Sequence, residues 1–205
     1  MSTWSQTTKQ IYNGVLIYSL CGVAKSIVDP IVNATSAMSM LTGGSSSSFN
    51  FGTVLSIAII FGYVYFFLGL KKFRTVVDAA DESAVKKVYL AVLLNIIAYV
   101  VALIPLMGII GKIISIVAFI YMMIGFAGMK NSSTFPVKAR KGASNLFVAM
   151  ILSIVGTVLG WLPLIGGVIG AIPNIISFIL IIVGWKKISK AEEISYNKAN
   201  NQIEF

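Results

Sequence analysis

The sequence predicts an all-α, polytopic membrane protein whose six transmembrane helices form three helical hairpin repeats of parallel topology. Composition is the first reason. Apolar residues make up 57% of the chain and charged residues 11%, with a mean hydropathy of +0.89, whereas about a quarter of a soluble domain is charged. Length is the second. At about 20 residues per crossing of a hydrocarbon core, 205 residues allow five or six crossings and leave no room for a separate soluble domain. Residues 1–205 are therefore expected to form a single integral membrane domain. The third reason is a recurrence of glycines: Gly52, Gly108 and Gly167 are each followed 17 positions later by Gly69, Gly125 and Gly184, with Tyr63, Phe119 and Phe178 between them.

Six apolar runs give the elements. The first span covers residues 11–28 and ends where Lys25, Asp29 and Pro30 interrupt the apolar sequence. A single early Lys9 and the lack of an Ala-x-Ala site argue against a cleaved leader. The second span, 51–70, runs from Phe51 to the Lys71–Lys72 pair, and the third, 88–104, starts after Lys86 and Lys87. The fourth, 109–129, follows a Pro105-Leu106-Met107-Gly108 turn, and the fifth, 143–162, follows Lys138, Arg140 and Lys141. The sixth, 168–185, ends at Trp185 with Lys186 and Lys187 behind it. The hairpin units are thus about 11–70, 88–129 and 143–185, and residues 186–205 form a polar tail.

Charge placement sets the expected orientation. The basic residues Lys71, Lys72, Arg74, Lys138, Arg140, Lys141, Lys186 and Lys187 all fall in alternate connections or the tail. By the positive-inside rule those segments are cytoplasmic, which puts both termini inside and the protein in a cell (inner) membrane. This explains the net charge of +9 without nucleic acid. The basic patch is expected to meet anionic lipid headgroups.

Between the other ends of the spans lie residues 29–50, 105–108 and 163–167. The first contains Gly43, Gly44 and four serines and is expected to be flexible, with a short half-helix over 31–41. In the two tight turns, Pro105 and Pro163 disfavour helical geometry in the residue before them, while Gly108, Gly166 and Gly167 allow the positive backbone angles of a reversal. Pro105, Leu106 and Gly108 recur as Pro163, Leu164 and Gly166 at an offset of 58, and Gly111, Phe119 and Gly125 recur as Gly170, Phe178 and Gly184 at 59. A two-span unit starts and finishes on one side, so such repeats are parallel. The recurrent Gly-x-Lys-Lys ending, at Gly69 and Gly184, resembles a pattern of small prokaryotic membrane proteins; the resemblance implies no activity.

Few side chains carry chemistry. Lys25 and Asp29 stand four residues apart on one helix face and form a candidate intramembrane charge pair. The bland alternative places them in the headgroup region. Asn95 and Asn174 are candidate polar helix contacts, and Lys112 is expected to snorkel to the nearer interface. Asp81 is expected to cap a helix that feeds the third span. With no histidine, one apolar-flanked thiol at Cys21, and six of the seven carboxylates in the basic segments, neither a catalytic site nor a metal or other cofactor site is expected. The reading that follows is a non-enzymatic structural or accessory subunit of a membrane assembly, as a homo-oligomer or with another membrane subunit in the lipid bilayer. The alternative is a small channel or transporter.

Overall fold

A computed structural model describes residues 3–41, 51–102, 104, 106–162 and 166–191. Its six helices are α1 (Trp4–Leu41), α2 (Phe51–Phe73), α3 (Ala79–Ala102), α4 (Gly108–Asn131), α5 (Val137–Gly160) and α6 (Gly166–Ser189). No strand occurs among the described residues. Each helix contains a stretch long and apolar enough to cross a membrane, and the chain is a multi-pass membrane protein. The polar tail beyond residue 191, the Gly/Ser run of residues 43–48, Pro105 and Pro163 lie outside the described residues.

Two elements depart from expectation. Helix α1 does not end near residue 28 but continues through Pro30 to Leu41, 38 residues in all, or about 57 Å at 1.5 Å per residue. The 31–41 segment is thus the end of α1 and no separate half-helix. Proline removes one intrahelical hydrogen bond, yet a helix survives that loss when its neighbouring turns remain paired. The second departure is the α3 start. Asp78 is its cap, its carboxylate accepting from Ala80 N–H at 3.0 Å, while Asp81 lies within the first turn. A carboxylate just before the first turn meets unpaired N–H groups and the positive end of the helix dipole.

Each helix packs chiefly on its antiparallel sequence neighbour, giving α1–α2, α3–α4 and α5–α6 hairpins. Glycine lets the backbones approach. A Cβ at Gly14 would come within 2.5 Å of Phe66 N, one at Gly125 within 2.9 Å of Ala84 O, and one at Gly142 within 2.6 Å of Gly184 O. Between hairpins, α2 meets α3, α4 meets α5 and α6 returns to α1, so the three hairpins close a ring.

The core sits at one end of that ring. Its buried cluster draws on every helix, but from Trp4 to Val15 in α1, Phe66 to Phe73 in α2, Ala84 to Val92 in α3, Phe126 and Met129 in α4, Ala139 to Leu146 in α5 and Trp185 to Ile188 in α6. All of these lie toward the Lys-rich segments, hereafter the basic end. Toward the opposite, hairpin end, large apolar side chains such as Ile57, Phe61, Ile113, Ile116, Ile172 and Ile175 stay exposed. Buried positions there are mostly small, among them Gly111, Ala118, Gly156 and Gly170. The hairpins are joined at the basic end and bare at the other.

Candidate functional site

The best-built polar site lies at the basic end, where α1 begins and the two inter-hairpin loops meet. Trp4 is fully buried, and its indole packs edge-on against Phe73 at 5.0 Å and Phe135 at 5.4 Å between ring centroids. Phe73 ends α2 and Phe135 belongs to the α4–α5 loop, so this aromatic group joins the first hairpin to the loop that connects the other two. A second joins α2, α4 and α6, with Trp185 5.7 Å from Phe66 and 6.2 Å from Phe126. Edge-to-face rings attract through their quadrupoles in addition to the area they bury.

Beside Phe135 lies a buried polar chain. Asp81 is only 5% exposed, and its carboxylate accepts a hydrogen bond from the Thr134 hydroxyl. Ser132 Oγ accepts from the N–H groups of Thr134 at 3.1 Å and Phe135 at 2.9 Å, holding the loop in a tight turn. Arg74 reaches Glu82 at 3.6 Å and covers the Tyr89 ring at 5.1 Å, tying the α2–α3 loop to α3. A buried carboxylate is costly unless hydrogen-bonded, so this arrangement fixes the loop geometry. It offers no paired nucleophile and base. Among the described residues no three His, Cys, Asp or Glu side chains come together as metal ligands would.

The basic patch assembles here. Lys71, Lys72, Lys138, Lys141 and Lys186 are exposed and Arg74, Arg140 and Lys187 half-buried, all at the basic end. Lys72 Nζ donates to Gln10 Oε1 at 3.1 Å, and Gln10 in turn donates to the Tyr65 carbonyl at 3.3 Å. Lys187 reaches the side-chain oxygen of Asn145 at 3.1 Å once that amide faces Lys141 O with its nitrogen. Lys72 and Lys187 are thereby held in place by neighbouring side chains, while Lys71, Lys138, Lys141 and Lys186 are exposed.

Lys25 and Asp29 form an ion pair of 2.7 Å, with side chains 33% and 41% exposed. They lie 7 and 11 residues after Tyr18, on the same helical face, and Tyr18 N comes within 2.5 Å of a Cβ placed on Gly62 of α2. The pair therefore continues the α1–α2 seam toward the hairpin end. Lys112 is exposed one turn into α4. Asn95 is half-buried and Asn174 exposed, and neither hydrogen-bonds to another described residue. Beside the Lys187–Asn145 contact, an interhelical hydrogen bond within the α5–α6 hairpin comes from Ser177, whose hydroxyl donates to Ala149 O at 2.8 Å.

The turn residues also differ from expectation. Gly108 is the first residue of α4, and Gly166 and Gly167 belong to the start of α6. In the α3–α4 turn the left-handed residue is Leu106, at φ 69°. The Asp81–Thr134 contact and the Trp4 group escaped sequence reasoning because their partners are 53 or more residues apart and share no helical period. No protein-family model, curated protein or solved structure matches the chain.

Proposed function

We propose that this protein is a non-enzymatic structural or accessory subunit of a membrane assembly. The observation that carries the reading is the uneven packing. Every helix contributes to one core at the basic end, while α2, α4 and α6 leave long apolar faces uncovered toward the hairpin end. Helices in lipid associate through close packing and small residues, so three joined but outwardly bare hairpins present surfaces for another membrane subunit or a second copy. The aromatic groups and apolar core at the basic end count against a continuous polar path, and so against the channel or transporter alternative.

On this reading the basic end faces the cytoplasm of a cell (inner) membrane by the charge rule, with its exposed lysines toward anionic headgroups. The equivalent positions of Gly69, Gly125 and Gly184, each against the first helix of its own hairpin, support a three-copy parallel repeat. Purification from the native membrane in mild detergent followed by native mass spectrometry tests the function. A stoichiometric foreign membrane subunit is expected. The chain alone, combined with solute flux in liposomes, would overturn the proposal. Orientation is read by labelling Leu106→Cys and Lys138→Cys in a Cys21→Ser background: the first should react only from outside and the second only from inside.

A further inference from the structure

Between α1 and the α5–α6 hairpin runs an open groove of about 730 Å³. Its walls are Val23 of α1, Gly156 and Gly160 of α5, and Ile175 and Phe178 of α6, with Asn174 the one amide-bearing side chain among them. The glycines create the space. Asn174 lies over Gly156, where an added Cβ would come within 2.4 Å of Oδ1, and a Cβ on Gly160 would meet nothing within 4 Å. The amide hydrogen-bonds to no other described residue.

Depth and shape select the occupant. Asn174 is eight residues into α6, about 12 Å from the helix's hairpin end at 1.5 Å per residue. A helical side chain leans toward the N-terminus of its helix, which for α6 is the hairpin end, so the amide reaches toward the edge of the hydrocarbon. An unpaired amide at that depth needs a partner that lipid tails cannot supply. Among the described residues no charged side chain lines the groove, which disfavours an ionic ligand. A partner helix 10–12 Å wide would place only about a turn and a half in this volume, while the size lies within the range of small-ligand sites. A hydrocarbon chain carrying a carbonyl at the right height meets every condition.

We propose that the groove binds one acyl chain of a glycerolipid from the leaflet at the hairpin end. The chain lies along Ile175 and Phe178, and its ester carbonyl accepts a hydrogen bond from the Asn174 amide. This site is independent of whether the protein is an accessory subunit. The α4 face around Ile116 and Ile120, exposed and apolar beyond Lys112, lacks such an amide and serves as the internal control.

The test is photolabelling of the full chain in phosphatidylcholine vesicles that contain a phosphatidylcholine with a diazirine on one acyl chain, read by peptide mass spectrometry. Labelling at Ile175 and Phe178 should exceed that at Ile116 and Ile120 several-fold. Gly160→Leu, which fills the groove from open space, should bring it down to the α4 level, and Asn174→Leu should reduce it by half or more. Thermal unfolding of both variants checks that the fold persists, and the exposed position of Asn174 makes its variant the safer of the two. Equal labelling of α4 and α6, or groove labelling unchanged in both variants, would overturn the proposal. So would a dimer in native mass spectrometry with the groove unlabelled, which would assign the groove to a second copy.

Discussion

Gly142 and Gly22 are both helical glycines, yet they are expected to respond oppositely to a methyl group. A Cβ on Gly142 would meet the backbone of α6, at Gly184 O and Ile188 N, whereas one on Gly22 would meet nothing within 4 Å. Backbone cannot move aside as a side-chain tip can. Gly142→Ala should therefore lower stability by about 1–3 kcal/mol, while Gly22→Ala should be neutral or gain up to about 1 kcal/mol of helix propensity; thermal unfolding in detergent compares them. At Asp81 the same measurement probes the buried hydrogen bond. Asp81→Ala removes the acceptor of the Thr134 hydroxyl and should cost about 1–3 kcal/mol, with Asp81→Asn losing less because an amide oxygen can still accept. The glycine recurrence was visible in the sequence. Which glycines touch backbone was not, because that depends on which face of each helix the neighbour occupies.

At the scale of elements, the α3–α4 turn places a leucine where a left-handed residue is required. A Cβ in that region costs roughly 1–2 kcal/mol, and Leu106 is fully exposed, so it recovers nothing by packing. Leu106→Gly should raise stability by about 1 kcal/mol, seen as a higher unfolding temperature. No change would mean that the turn relaxes to another geometry. The sequence placed a reversal here and assigned its positive φ to Gly108, whereas Leu106 takes it; the choice of residue for positive φ follows from how the two helix axes meet. On α1, the Lys25–Asp29 pair is partly exposed, and its net contribution is correspondingly small, within about 1 kcal/mol. Lys25→Met with Asp29→Leu should leave unfolding within that margin, and a clear gain in stability would place the pair inside the hydrocarbon, where two charges cost more than the apolar side chains that replace them. Pro30 was expected to break or kink this helix. Continuation to Leu41 shows that local propensity yields when the flanking turns keep their hydrogen bonds.

For the whole molecule, one buried cluster at the basic end holds three hairpins that otherwise share little. Substitutions there should be felt across all six helices: Trp4→Ala, which empties the contact with Phe73 and Phe135, should cost about 3–5 kcal/mol by the cavity it leaves. Spin labels give a geometric counterpart. Distances between Lys72 and Lys138, at the basic end, should be narrowly distributed, and those between Leu106 and Trp161, at the hairpin end, broader. Equal widths at both ends would mean that the outer halves are held as firmly as the core.

The sequence by itself determined the class and the number of membrane-spanning helices, because burial in lipid demands long, continuous apolar runs and the interruptions are charged. It also paired the helices of the second and third hairpins, since the short connections expected there leave antiparallel neighbours little choice. Only the tertiary structure decided where the hairpins meet: Trp4, Phe73 and Phe135 converge from distant segments, as do Asp81 and Thr134. Their contacts follow no helical period and rest on the angles at which three hairpins pack. The groove around Asn174 has the same origin, since a space between α1 and the α5–α6 hairpin exists only once both are placed.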